Sequence, residues 1–157
     1  MTLIINAAQI QSIYHHAENI YPEECCGILL GKIDKLTKTV IEVIPTANAW
    51  EQSESVVGVA SPLENLDRTK TSRYTIPPQA IFQAQKRARD LQLNIIGFFH
   101  SHPDCPAIPS ICDRDRAWDV YSYPIVSVMQ GKVNNSQSWV LDRNGIFQEE
   151  EIYQVET

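Results

Sequence analysis

The residues of this 157-residue chain whose types and spacing can do chemistry lie in one stretch, His100-Ser101-His102-Pro103-Asp104-Cys105-Pro106-Ala107-Ile108-Pro109-Ser110-Ile111-Cys112-Asp113. At an extended strand end, residues two apart point to the same side, so His100 and His102 can converge on one metal ion. Two imidazoles alone make a weak site. A carboxylate from Asp113, returned by the proline-bearing loop, completes three protein ligands and leaves a fourth tetrahedral position for water, the composition of a catalytic zinc site. Zn2+ suits this nitrogen and oxygen set better than Mg2+ or Ca2+. Water at such a site ionises near a pKa of about 7 and needs a proton acceptor, for which Glu23 and Glu24 are the candidates. Ser110 can donate a hydrogen bond to the oxyanion of a tetrahedral intermediate. The chemistry expected of these residues is amide hydrolysis.

The elements that must position them are readable from pattern. Residues 93–99 form the most apolar run and lead straight into His100, so a strand is expected to carry the histidines. Residues 25–31, apolar and bounded by glycine, read as a buried strand just after Glu24, and the β-branched run 39–44 as its hairpin partner. Over 7–20, Ile10, Ile13, Tyr14, Ala17 and Ile20 recur at helical spacing, with Asn6 as N-cap and Pro22 as terminator. Pro77-Pro78 opens a second helix whose buried stripe is Ile81, Ala84, Ala88 and Leu91. A short helix over about 110–120 and strands at 124–129, 136–141 and 146–148 complete an α/β architecture with a mostly antiparallel sheet. Residues 47–73 have no clean period; they are expected to form a long connection, able to act as a flap or to grip an extended substrate tail by strand addition.

Composition bounds the rest. Hydrophobic residues are 43% and charged residues 20%, the balance of a folded globular protein, and the length fits one domain over 1–157. A net charge of -6 argues against nucleic acid as a partner. The start of the chain lacks a basic segment followed by an apolar stretch, and no window approaches the roughly 20 apolar residues of a membrane span, so a cytoplasmic protein without membrane association is expected. In a reducing compartment the four cysteines read as free thiols, and Cys25, Cys26, Cys105 and Cys112 match no zinc-knuckle spacing.

Glu24, His100-Ser101-His102-Pro103, Ser110 and Asp113 together fill every position of a family pattern: a Glu, far downstream H-[ST]-H-P, then, after seven residues, S-x-x-D. In this the chain resembles the JAMM or MPN-plus metalloproteases. The run from Pro22 to Gly31 is also similar to the P-x-E-x-C-G-x-L-x-G opening of the compact prokaryotic members, in a register that selects Glu24 over Glu23. The resemblance extends over about 5–129. It implies the MPN fold, a cytidine-deaminase-like curved mixed sheet flanked by helices. It implies Zn2+ held by His100, His102 and Asp113, with Glu24 as general acid and base and Ser110 supporting the oxyanion. The implied activity is hydrolysis of peptide or isopeptide bonds at the C-terminal tail of a ubiquitin-like or sulfur-carrier protein.

Each feature has a plainer reading. Ser110 and Asp113 alone are a helix capping box, and a carboxylate that binds metal has less freedom to cap. Cys112 beside Asp113 is a thiolate rival for the third ligand position, although neighbours at a helix start diverge, so only one can face the histidines. Trp118, Tyr121 and Tyr123 read as core, His15 and His16 as surface or boundary, and Asp104 and Asp115 as solvated. The rival functions are a scaffold of the same fold without activity, which would lack the ligands, and a zinc hydrolase of small amides; a nucleobase deaminase would need H-x-E and P-C-x-x-C, and neither is present.

Overall fold

The computed structural model describes residues 1–51 and 69–156. Its elements are β1 (Thr2–Asn6), α1 (Ala7–Ile20), β2 (Cys26–Asp34), β3 (Thr37–Thr46), α2 (Pro78–Asp90), β4 (Asn94–Pro103), α3 (Ile111–Asp115), β5 (Ser122–Met129), β6 (Lys132–Leu141) and β7 (Phe147–Val155). Residues 52–68, the middle of the expected flap, lie outside the described residues. No described helix is long and apolar enough to cross a membrane.

The strands close into a barrel in the order β1-β3-β2-β4-β5-β6-β7. The β2/β3, β2/β4, β5/β6 and β6/β7 pairs are antiparallel, whereas β1 runs parallel to β3 and β7, and β4 parallel to β5. The curved mixed α/β sheet is therefore present, with closure added by β1. Its five residues give little strand signal alone and form because pairing on both edges satisfies their backbone.

Helix α1 starts where expected: the Asn6 side chain accepts from the Gln9 N–H at 2.8 Å, and Gln9 reciprocates at 2.9 Å. Its Ile10, Ile13 and Ala17 pack with Leu3, Ile5, Leu29, Phe99 and Val126 on one face of the sheet. Ala84 and Ala88 of α2 pack with Ile28 and Leu30 on the other face. Leu91 does not join them; it is the C-cap residue of α2 and is exposed, because the helix stops before a further turn could bring it round. The expected helix over 110–120 is only the five residues of α3, with Arg116 as C-cap, and Trp118 beyond it is 68% exposed rather than core. Tyr123 is buried as expected and its hydroxyl accepts the Trp118 N–H at 2.7 Å.

Close approach dictates Gly27. A Cβ on Gly27 would strike the ring of Phe99 and the Ile44 carbonyl, so only Gly lets β2 lie between β3 and β4 with Cys26 opposite His100.

A polar network crosses the barrel. Lys38 Nζ donates to Ser122 Oγ at 3.0 Å, Ser122 Oγ donates to Glu150 at 2.9 Å, and Ser138 Oγ donates to the other Glu150 oxygen at 2.7 Å. All four residues are buried. Since β3 and β5 are not neighbours in the sheet, the Lys38–Ser122 bond spans the interior and ties opposite walls together. A buried charge left alone is far more costly than a pair removed whole. Glu150→Leu should therefore lose about 3–5 kcal/mol of stability in urea denaturation. The double variant Lys38→Met/Glu150→Leu should lose less than Glu150→Leu alone, and a purely additive double variant would contradict the network.

Candidate metal centre

Strand β4 carries both histidines, and its alternation puts His100 and His102 on one side. Both are buried. Their Nε2 atoms face each other at 3.1 Å; Asp113 Oδ1 lies 3.2 Å from His100 Nε2 and Asp113 Oδ2 lies 3.1 Å from His102 Nε2. Sequence reasoning expected these three residues to meet, and the fold brings them together.

The donor chemistry fits a cation. His102 Nδ1 sits 2.8 Å from the Pro106 carbonyl, which can only accept, so Nδ1 carries a proton and, in the neutral ring, Nε2 presents a bare lone pair. That lone pair points at a carboxylate and a second imidazole nitrogen, an arrangement that two neutral histidines cannot satisfy among themselves. Two nitrogens and one carboxylate converging in this way match the composition of an open zinc site. The fixed Nδ1–H···O=C bond is the usual orienting contact of a metal-bound histidine. Burial would raise the Asp113 carboxyl, but the charges and hydrogen bonds of His100 and His102 outweigh it and hold that carboxyl far below the usual carboxylate range. Burial depresses the His100 imidazolium in turn.

Asp113 both caps and faces the histidines. Its Oδ2 accepts the Ser110 N–H at 2.8 Å while its own N–H donates to Ser110 Oγ at 3.1 Å. Capping does not turn Asp113 away from the histidines: its Oδ1 faces His100 and its Oδ2 faces His102 while the cap is made. Ser110 Oγ uses a lone pair in the cap, so its O–H is left to donate elsewhere. Cys112 does not point with Asp113 at the histidines; it lines the neighbouring pocket.

Glu24 is 4% exposed and lines that same small pocket with Arg73, Tyr74, Cys112, Asp113 and Arg116. Burial pushes its carboxyl well above the usual range, the Asp113 charge adds to this, and Arg73 opposes it. Its backbone is pinned: the Glu24 N–H donates to the Lys70 carbonyl at 2.7 Å and its carbonyl accepts from Asn48 Nδ2 at 3.1 Å. Next to it, the Cys25 N–H donates to Ser101 Oγ at 2.7 Å and the Ser101 N–H to the Cys25 carbonyl at 3.1 Å, which locks the Glu24 end of β2 to the histidine strand. Glu23 is exposed and outside the site.

A family model described as prokaryotic homologs of the JAB domain matches residues 6–142. The chain belongs to this JAB family. It is similar to a desampylase from Haloferax volcanii, 32% identical over 110 residues that cover 68% of this chain and 63% of that protein, and so spans less than two thirds of that relative's length. A desampylase from Pyrococcus furiosus is 24% identical over 129 residues, 82% of this chain and 74% of that protein. A solution structure from Desulfitobacterium hafniense is 30% identical with a TM-score of 0.75, covering 100% of this chain and 94% of that one. A JAB1/MPN domain protein from Archaeoglobus fulgidus, 17% identical with a TM-score of 0.51 over 97% and 98% of the two chains, shares the fold.

Around the JAB-family centre lie residues that sequence reasoning missed. Asn48 bonds Glu24, Trp50, Arg73 and Thr75, and an Asn at a strand end, able to bond backbone in both directions, was the available signal. Tyr74 stacks on His100. Asp104, expected to be merely solvated, accepts from Tyr21 Oη and the Gln130 N–H at 2.7 Å each and turns the metal-side loop at φ 56°. His15 is exposed and His16 half-buried, with its Nε2 3.2 Å from the Thr46 carbonyl. The four cysteines are free, and burial holds Cys25 and Cys26 as thiols with pKa values of about 12 and about 11. Ser110→Ala removes the acceptor for the Asp113 amide, so hydrogen exchange at that amide should quicken about fivefold, the equivalent of a cap worth ~1 kcal/mol. An unchanged rate would show that the Ser110 hydroxyl is not the cap.

Proposed function

We propose that this chain is a zinc-dependent hydrolase of peptide or isopeptide bonds, acting at the C-terminal tail of a ubiquitin-like or sulfur-carrier protein, with 1–157 as one catalytic domain. The observation that carries the reading is the convergence of His100, His102 and Asp113 beside a buried carboxylate, Glu24. The two relatives named desampylases support the substrate class, and the family match over 6–142 supports the single domain.

In this reading His100, His102 and Asp113 hold Zn2+. When bound, zinc supplies Lewis acidity at the scissile carbonyl and makes water acidic enough to react near neutral pH. Glu24 takes the proton of the attacking water and delivers it to the leaving amine. Its burial raises its proton affinity above the ordinary carboxylate range, the direction a general base near neutral pH needs. The free O–H of Ser110 donates to the oxygen that becomes negative as the carbonyl turns tetrahedral. Pro106 holds the His102 ring in its binding tautomer throughout.

Purified protein should contain one zinc per chain and cleave a fusion whose first partner is a ubiquitin-like protein; a metal-free, inactive wild type would sink the proposal. Glu24→Gln should keep its zinc and lose turnover by about 10²–10⁴-fold, because a proton acceptor is removed and no ligand is.

The same substitution has a stability signature in metal-free protein. The folded-state pKa of Glu24 is raised, so stability falls as the pH climbs from the ordinary carboxyl value, about 4.3, toward the raised one. Glu24→Gln should therefore raise the melting temperature at pH 7 and leave it nearly unchanged at pH 3, where the Glu24 carboxyl is protonated in both the folded and the unfolded chain. An equal gain at both pH values would show that its carboxylate carries no burial penalty.

A further inference from the structure

We propose that Tyr74 is a positioning residue of the metal centre, its ring fixing the plane of the His100 imidazole by face-to-face stacking. This rests on the reading of His100, His102 and Asp113 as metal ligands.

The two histidines are held by different means. The His102 ring is fixed by its Nδ1 bond to the Pro106 carbonyl. His100 Nδ1 is buried and has no hydrogen-bond partner among the described residues. A metal-bound histidine almost always orients itself through its second nitrogen, so His100 needs another constraint. Tyr74 supplies one: its ring lies 4.5 Å from the His100 ring, centroid to centroid, at an interplanar angle of 22°. That stack blocks rotation about the imidazole's last torsion, which would otherwise sweep Nε2 away from His102 and Asp113.

The stack is useful only if Tyr74 itself is fixed, and hydrogen bonds hold its carbonyl and the backbone of both its neighbours. Asn48 accepts the Thr75 N–H at 3.1 Å through Oδ1 and donates to the Arg73 carbonyl at 2.9 Å through Nδ2, bracketing Tyr74 in sequence. The Ala49 N–H donates to the Thr75 carbonyl at 2.8 Å. Arg116, the C-cap residue of the helix that carries Asp113, donates to the Tyr74 carbonyl at 3.1 Å. One short strap therefore connects the ring over His100 to the helix of the third ligand and, through Asn48, to the backbone of Glu24.

The test compares wild type, Tyr74→Phe and Tyr74→Leu for zinc affinity by competition with a chromophoric chelator, and for the visible absorption of the Co2+ forms. Tyr74→Leu should bind zinc about tenfold more weakly, with a shifted Co2+ spectrum. Tyr74→Phe, which keeps the stack and loses the hydroxyl, should stay within about twofold of wild type with an unshifted spectrum. A Tyr74→Leu affinity equal to wild type, or a Tyr74→Phe loss equal to that of Tyr74→Leu, overturns the inference while leaving the metal site intact. A wild type that takes up no zinc overturns the metal reading itself. If Tyr74→Leu does not fold, NMR of the zinc-loaded wild type decides: contacts between the Tyr74 and His100 ring protons support the stack, and their absence overturns it.

Discussion

Two imidazole nitrogens and a carboxylate held within 3.1–3.2 Å of one another, nearly out of contact with water, form the constraint on which the rest of this structure depends. Buried polar atoms are tolerated when each finds a partner of opposite character. Here the Pro106 carbonyl fixes a proton at His102 Nδ1, so the neutral ring turns a lone pair toward a carboxylate and a second imidazole, an excess of acceptors that a cation would relieve. Burial and mutual attraction act against each other within it: burial disfavours charge on His100, while Asp113 favours it. The scaffold must hold the three groups in contact rather than let them relax apart. Strand alternation does this for the histidines, and a capping box does it for the aspartate.

Glu24, the proposed acid–base residue, is placed by a different device. Glu24 lies just ahead of β2, where a free end would leave it mobile. Antiparallel register sets Cys26 against His100, and the Ser101 side chain and backbone clamp Cys25, so the carboxylate is delivered into the pocket it shares with Asp113 by hydrogen bonds that belong to the sheet. Gly27 is what lets the strands approach closely enough for this register. Sites built on paired strands hold their geometry better than sites on loops. In this protein the loop residues that matter, Asn48 and Tyr74, are themselves fastened to strand ends and to α3.

Much of this was legible from residue types alone. The convergence of His100, His102 and Asp113 follows from strand period, a proline-bearing return and a match at every motif position, each of which is local information. The start of α1, the β2–β3 hairpin and the buried Ala84 and Ala88 were equally local. What escaped were features set by partners distant in sequence. Strand β1 exists because β3 and β7 flank it, and the Lys38–Ser122–Glu150 network joins residues more than a hundred positions apart. Trp118 looked like core by composition, yet α3 ends too early to turn it inward. Asn48 sits in the 47–73 segment, whose sequence has no period, and Tyr74 directly follows it, so only the folded chain shows that they meet the site.

The double employment of Asp113 has a thermodynamic consequence. A helix of five residues is far below the length that is stable alone in water, and α3 buries no residue that could hold it by packing. Its stability must come from the Ser110–Asp113 capping box, the attraction between Asp113 and the two imidazoles, and the Arg116 bond to the strap. Two of these three contacts are made by the site. Helix and centre therefore form together: the centre cannot be complete while α3 is unwound, and α3 has little reason to wind while the centre is apart. Any cation that draws Asp113 toward the histidines stabilises the helix by mass action, and any change that frays the helix weakens the cation's hold by the same free energy. Because Asp113 belongs both to the first turn of α3 and to the cluster with the two histidines, that reciprocity makes the capping Ser110 part of the cluster's energetics.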